Sequence, residues 1–327
     1  MKTTAAEQLD RYIRARYPLI TIISHEETRV LKTISKVARS SRRRVVTWSI
    51  TQGLAEVKPS GNNPNFNPVT DFDADATREP VLALEAVLER KSIIPEGEVK
   101  AVPILYVFKD FHNILSLGNG RFDPILTRYI RDISLKFEAQ PDNMVFLSPS
   151  FQIPPDLEKT ISVISWPLPE VHELYKILAY CEKDLPVEKK NNLNDNSDEI
   201  IQAMSGLTAF EAESVLLSSI AATSELSNKC IPFIVEEKSQ IIKKSGVLEY
   251  FDTSVTMNNV GGLNNLKQYA AMKKAAFSEQ ARAAGLDAPK GVLLVGVPGT
   301  GKSLSAKAIA GGTMPLLRMD VGSLMAG

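Results

Sequence analysis

A chain of 327 residues with 44% apolar content has the material for two domains with separate cores. Lys plus Arg and Asp plus Glu number 38 each, which excludes a global field directed at nucleic acid or an acidic membrane surface and leaves partners to be read from local sites. Cys181 and Cys230 lack both zinc-site spacing and the number a disulfide framework needs, Met1–Arg16 has no signal-peptide core, and no apolar run approaches the ~20 residues of a membrane span; the expectation is a soluble protein with buried thiols, in the cytoplasm or an organelle stroma.

In chain order, Leu19–Ser24, Arg44–Ile50, Ile104–Phe108, Met144–Ser148 and Ile161–Ile164 are short runs rich in Ile, Val, Leu and Phe, the pattern of strands buried on both faces of one parallel sheet. His25–Arg39, Val81–Lys91 and Asp123–Phe137 place apolar residues at helical spacing and read as the crossover helices, the last with Pro124 suited to a first turn. The front of the chain is therefore predicted to be α/β. Lys58–Thr77, with its Pro, Gly and Asn cluster and Asp71, Asp73 and Asp75, reads as a long loop. From Leu168 to about Lys244 amphipathic helices take over, broken by the polar stretch Lys189–Glu199, and Thr208 with Glu211 reads as a capping box. A new unit is expected to begin near Phe251.

The run Gly291–Val295 reads as a buried strand feeding Gly296-Val297-Pro298-Gly299-Thr300-Gly301-Lys302-Ser303 and then a helix over Leu304–Ala310, the strand, loop and helix order of a P-loop. Phosphate needs close backbone N–H groups, so Gly296, Gly299 and Gly301 free the chain to curl around an anion at a helix amino end. Lys302 is expected to reach the β- and γ-phosphates and the Ser303 hydroxyl to ligate Mg²⁺, making ATP with Mg²⁺ the expected ligand.

Together with Asn259-Val260-Gly261-Gly262-Leu263 upstream and Lys307–Ala310 and Pro315–Leu324 downstream, this loop resembles the opening of an AAA+ ATPase module and its Walker A motif. The flanking text is similar to the cyanobacterial and plastid family named hypothetical chloroplast reading frame forty-six. That likeness extends to the front half through Pro18–Ile22, Arg44–Ser49, Lys109-Asp110-Phe111-His112 and Ile153–Glu158. The resemblance implies a degenerate AAA-like α/β domain over residues 1–167, a helical lid and connector over 168–250, and the amino-terminal part of an AAA+ module over 251–327. It also implies that Gly261 and Gly262 pass near the adenine, that the complete protein hydrolyses ATP to remodel a protein substrate, and that it works as a homo-oligomeric ring, with no membrane or nucleic acid involved.

Two departures from the family pattern stand out. Where a nucleotide loop would follow the first strand, the chain reads Ser24-His25-Glu26-Glu27-Thr28, without glycine or a Lys-Ser pair, and Phe111 stands after Asp110 where the family has its catalytic Glu, so Asp110 reads as scaffold. After Ser303 no apolar strand ends in Asp-Glu, and neither sensor nor arginine finger can be assigned, so the strands that should separate Gly291–Val295 from Leu316–Val321 are missing. The expectation is a carboxy-terminally incomplete or split form of a longer ATPase; the alternative is a nucleotide-binding or assembly module that does not hydrolyse. Arg42-Arg43-Arg44 reads as a solvated edge, His25, His112 and His172 lack ligand spacing, and Trp48 and Trp166 read as packing residues.

Overall fold

The computed structural model describes residues 3–60, 63–68, 72–90, 102–183, 185, 197–244, 248–251, 255–276, 285, 291–310 and 316–319. They fall into two units, Met1–Glu188 with Met204–Leu217, and Lys189–Ala203 with Ser218–Gly327. In the first, α1 (Ala5–Arg14), β1 (Leu19–Ile23), α2 (Glu27–Ser40), β2 (Arg44–Ser49), β3 (Gly53–Ser60), β4 (Asn63–Pro68), α3 (Pro80–Glu89) and β5 (Ile104–Lys109) come first. They are followed by α4 (His112–Leu115), the small hairpin β6 (Ser116–Gly118) and β7 (Arg121–Phe122), α5 (Pro124–Ala139), β8 (Asn143–Ser148), β9 (Ile161–Ser165) and α6 (Val171–Lys183).

The main sheet has the order β4-β3-β2-β5-β8-β1-β9, and the five strands from β2 to β9 in that order are parallel. These are the five strands the apolar runs predicted. Their side chains alternate between two layers. Leu19, Trp48, Tyr106, Phe108, Met144 and Phe146 enter a core that also holds Ala83, Leu84 and Val87 of α3 and Leu126, Ile130 and Ile133 of α5. Ile20, Ile22, Leu105, Val107, Val145 and Leu147 enter the opposite core, with Leu9 and Ile13 of α1 and Val30, Leu31 and Ile34 of α2. Each Val, Leu, Ile, Phe or Met among them contributes roughly 1.5–3 kcal/mol by leaving water, so helices on both faces are a condition of the parallel sheet. The helix starts are fixed locally: Thr4 and Glu7 form a capping box on α1, and Asp123 caps α5 ahead of Pro124.

The expected long loop over Lys58–Thr77 is corrected by the structure. β3 continues to Ser60 and pairs antiparallel with β4, from Ala55 opposite Pro68 to Ser60 opposite Asn63, extending the sheet beyond β2. Pro64 and Pro68 lack ladder donors, which an outermost strand tolerates, so turn-rich composition disguised an edge hairpin. Residues 61–62 and 69–71 lie outside the described set. Beyond it, Thr77 is buried: its carbonyl accepts the Trp48 indole N–H at 2.6 Å and its hydroxyl oxygen accepts the Leu54 N–H at 3.0 Å. The arginine run is likewise tied down. Arg43 donates to the Pro141 carbonyl and Arg44 pairs with Glu56 at 3.0 Å, so two of its three members are not a solvated edge.

The helical stretch appears as α6, α7 (Ser197–Met204), α8 (Ala209–Thr223) and α9 (Cys230–Lys244), while residues 189–196 of the expected polar break are outside the described set. The Thr208 and Glu211 box is formed, with N–H donation in both directions at 2.8 and 3.2 Å. Cys181 and Cys230 are buried and join in no disulfide. In the second unit, β10 (Leu248–Phe251), α10 (Asn264–Ala275), α11 (Lys302–Ala310) and β11 (Leu316–Met319) complete the described elements. β11 pairs antiparallel with β10, a strand the sequence reading did not anticipate. Gly291–Val295 is not a strand: it has no regular structure, and Leu293 and Val295 are 87% and 85% exposed. Among the described residues nothing pairs with it, and an apolar run without ladder partners does not make a strand. No helix among the described residues is long and apolar enough to cross a membrane.

Within the first unit α6 is fastened to α2, because Arg29 forks onto Glu173 with Nε–Oε1 at 3.1 Å and Nη2–Oε2 at 2.5 Å. Burial alone would raise the Glu173 carboxyl, but hydrogen bonds from Arg29 and the Glu170 amide, with the Arg29 charge, outweigh it and hold the carboxyl below its ordinary range. A carboxyl depressed on folding contributes stability that is complete above its unfolded pKa and is lost as pH falls through the folded one. Glu173→Gln should therefore lower stability at neutral pH, and the gap to the parent should close as pH drops below the ordinary value of 4.5. Urea denaturation followed by tryptophan fluorescence checks this, since both tryptophans, Trp48 and Trp166, lie in the first unit. The same measurement tests the turn before β3. Gly53 sits at φ +65°, and a Cβ there would come within 1.9 Å of the Ala74 carbonyl oxygen. Gly53→Ala should cost about 3 kcal/mol through left-handed strain and backbone displacement.

Candidate nucleotide site

Residues 291–297 run into a turn over Pro298–Gly301, and α11 starts immediately after it at Lys302. Gly299 and Gly301 lie at φ +86° and +80°, where a side chain would be strained, so the curl of the loop depends on glycine at both. Gly296 is constrained by space instead: a Cβ there would stand 3.1 Å from the Thr300 hydroxyl, which donates to the Val297 carbonyl at 2.8 Å. Val297 and Pro298 are exposed spacers. Lys302 Nζ folds back and donates to the carbonyls of Gly296 and Val297, both at 2.7 Å, which fixes its charge over the loop. Ser303 is exposed in the first turn of α11.

The first amides of α11 have no intrahelical acceptors and carry the positive end of the helix dipole, so donors and charge converge on the loop. Ser305, Ala308 and Ala310 of α11 are buried. α11 also touches the 3-10 turn Met257–Asn259, which leads through buried Val260 to Gly261 and Gly262, the latter at φ +65°. The structure thus brings the stretch entering Gly261 and Gly262 beside the helix that carries Lys302 and Ser303. Glycine curl, free amides and one lysine fit a polyphosphate. Among the described residues no group of three or more His, Cys, Asp or Glu could hold a metal, so Mg²⁺ would rely on Ser303, phosphate oxygens and water.

In the first unit, β1, Ser24–Glu26 and α2 form a strand, loop and helix whose loop has different chemistry. The Glu26 amide donates to Ser24 Oγ at 3.0 Å. Its buried carboxylate accepts from Arg29 and from the Ala209 N–H at the start of α8, the latter at 2.6 Å. Arg29 Nη1 also donates to the Pro167 carbonyl at 2.8 Å. The next residue, Glu27, pairs at 3.1 Å with Lys109 at the end of β5. Asp110 follows in the left-handed region at φ +52°, with its N–H bonded to the Leu147 carbonyl at 3.0 Å. Phe111 is fully buried among Trp48, Phe108 and Phe146, with ring centroids 5.4–5.6 Å apart, so packing occupies the position of a catalytic Glu. His25 is exposed and His172 lies 3.5 Å from Glu170. Sequence reasoning missed Glu26, Arg29, Lys109 and Glu173 because their partners are remote, Arg29 and Glu173 being 144 positions apart.

Comparison with known proteins gives the family of the chain, through residues that precede the glycine loop. Residues 5–166 match the family model described as the SpoVK-like AAA ATPase N-terminal domain, and residues 172–245 match its second domain. The "Uncharacterized AAA domain-containing protein ycf46" of Guillardia theta is 32% identical over 317 residues, 96% of this chain and 57% of that protein. The "ATP-dependent zinc metalloprotease FTSH 6, chloroplastic" of Oryza sativa subsp. japonica is 51% identical over 61 residues, 18% of this chain and 9% of that one. A chain in the solved "Structure of E. coli MS115-1 HORMA:CdnC:Trip13 complex" overlays with TM-score 0.41 and 10% identity over 68% of this chain and 74% of its own, too loose a likeness to carry an argument. The chain spans 57–60% of the length of its ycf46 relatives. With both family models matched in order and a relative at 32% identity along nearly its full length, the chain belongs to the SpoVK-like AAA ATPases.

Proposed function

We propose that this chain binds ATP with Mg²⁺ at Gly296–Ser303, as part of an ATP-driven protein remodeller that assembles as a homo-oligomeric ring. The observation that carries the reading is the loop itself, with left-handed Gly299 and Gly301 leading into α11 and Lys302 folded over its carbonyls. In this reading Lys302 exchanges its two carbonyl acceptors for phosphate oxygens, Ser303 supplies a hydroxyl to Mg²⁺, and Gly261 and Gly262 border the adenine. The metal neutralises phosphate charge. Domain limits at 167 and 250 follow the division into degenerate α/β domain, lid and ATPase module, and the balanced charge argues against nucleic acid as partner. The cytoplasm or a plastid stroma is the compartment we assign.

A second reading is favoured by the absence of an acidic metal-binding cluster among the described residues. On that reading this length of chain binds nucleotide without turning it over, and the acid pair, sensor and arginine finger belong to the part of the family length it does not span. Titration with a fluorescent ATP analogue should show saturable binding that Lys302→Ala weakens roughly 10- to 100-fold, the worth of one or two charged hydrogen bonds. A parallel phosphate-release assay separates the readings. Silence in the parent supports binding without turnover, Mg²⁺-dependent release supports the complete ATPase, and binding indifferent to Lys302→Ala overturns the site.

A further inference from the structure

The loop after β1 is where the first unit would hold a nucleotide, and it holds an anion of its own. The Glu26 side chain is 6% exposed and its carboxylate receives the Ala209 N–H, the first amide of the fifteen-residue α8. That amide is one of the orphan donors of a helix amino end, and the Thr208 and Glu211 box satisfies others beside it. A carboxylate at this position is favoured by both the hydrogen bond and the helix dipole.

Arg29 completes the arrangement. Nη1 donates to Glu26 and to the Pro167 carbonyl, while Nε and Nη2 donate to Glu173 near the start of α6, so four of its five N–H groups are used. Its side chain is 17% exposed, which separates this cluster from the solvated ion pairs that contribute little. One guanidinium thus joins α2, the strand-to-helix connection at Pro167 and α6, and through Glu26 it is linked to α8. Next to it, Glu27 on the β1 side faces Lys109 on the β5 side. In a nucleotide-binding module the lysine stands on the loop; here the loop side carries Glu27, and its partner Lys109 stands at the β5 end just before Asp110.

We propose that Glu26, Arg29 and Glu173 form a permanent latch, in which the Glu26 carboxylate takes the place of a bound anion at the amino end of α8 and keeps α6 and α8 docked on the sheet without nucleotide. The proposal is independent of Gly296–Ser303, since all its groups belong to the first unit. Three consequences follow from the geometry. Removing the guanidinium frees α6 and the start of α8 together, the sheet is unaffected, and added nucleotide changes nothing at Ser24–Thr28.

Hydrogen–deuterium exchange on the full chain tests all three. In Arg29→Met, amides in the first turns of α6 and at Ala209–Ala212 should exchange about tenfold faster or more, with β5 and β8 unchanged. Arg29→Lys, which keeps the charge and loses the fork, should fall between. Unchanged exchange at α6 and α8 in Arg29→Met overturns the latch. If that variant loosens β5 and β8 as well, Glu173→Gln decides, because it leaves the Glu26 and Arg29 pair in place: faster exchange confined to α6 supports the latch and none overturns it. In the parent, protection of Ser24–Thr28 by a non-hydrolysable ATP analogue with Mg²⁺ would show a ligand where the proposal places a carboxylate, and would overturn it too.

Discussion

β1 pairs in parallel with β8 on one side and β9 on the other, Leu19 standing opposite Met144 and Ile161, and this double register fixes where the chemistry of the first unit lies. Parallel strands all end on the same edge, so the connections after β1, β5, β8 and β9 are gathered together by the backbone ladder alone. The ladder continues past the strands: the Ser24 N–H reaches the Ser148 carbonyl at 2.9 Å, Asp110 reaches Leu147 at 3.0 Å, and Trp166 reaches Ile23 at 3.1 Å. Glu26, Glu27, Lys109 and Pro167 therefore meet as a consequence of strand order. The buried carboxylate of Glu26 in particular needs partners there, because desolvating an unpaired charge is costly.

The chain presents two solutions to the same problem of a loop leading into a helix. Around Gly296–Ser303 the loop is stripped of side chains, three glycines let the backbone approach a guest, and the only strong charge is a lysine held on loop carbonyls. Around Ser24–Thr28 the loop is filled with charged side chains whose partners are all internal. A glycine loop leaves helix amides for a ligand to satisfy; a Glu26-type loop satisfies a helix amide from within. On the proposed reading the first takes a diffusible anion to complete its electrostatics, whereas the second finds its partners within the fold.

What could be read from the sequence follows the same physical division. The five parallel strands were legible because burial on both faces writes a continuous apolar run, and each appeared within a residue or two of its expected limits. β3 and β4 were not, because an edge hairpin is held by main-chain pairing that tolerates Pro, Asn and Gly. Gly291–Val295 misled in the opposite direction: its composition is that of a strand, but strand identity belongs to a pair and no described partner exists. The glycine loop announced itself through local spacing, since backbone curl is a property of neighbours. The Arg29 cluster could not, because it depends on residues brought together by the register of β1.

Phe111 shows how firmly the first unit is committed to its closed chemistry. An acidic side chain at that position would lie among the rings of Trp48, Phe108 and Phe146 and would have to be protonated or displaced. Displacing it would open a core that all three rings help to fill, at a loss of about 3–5 kcal/mol for an aromatic of this size. The neighbouring Lys109 is meanwhile neutralised by Glu27, and the α8 amino end by Glu26. Glycine in the loop, a Glu at position 111 beside Asp110 and a free helix end would each be needed for nucleotide chemistry, and each change toward them removes a contact the unit now makes. The three replacements are thus mutually supporting: the proposed latch and the aromatic core around Phe111 draw on the same edge of the sheet.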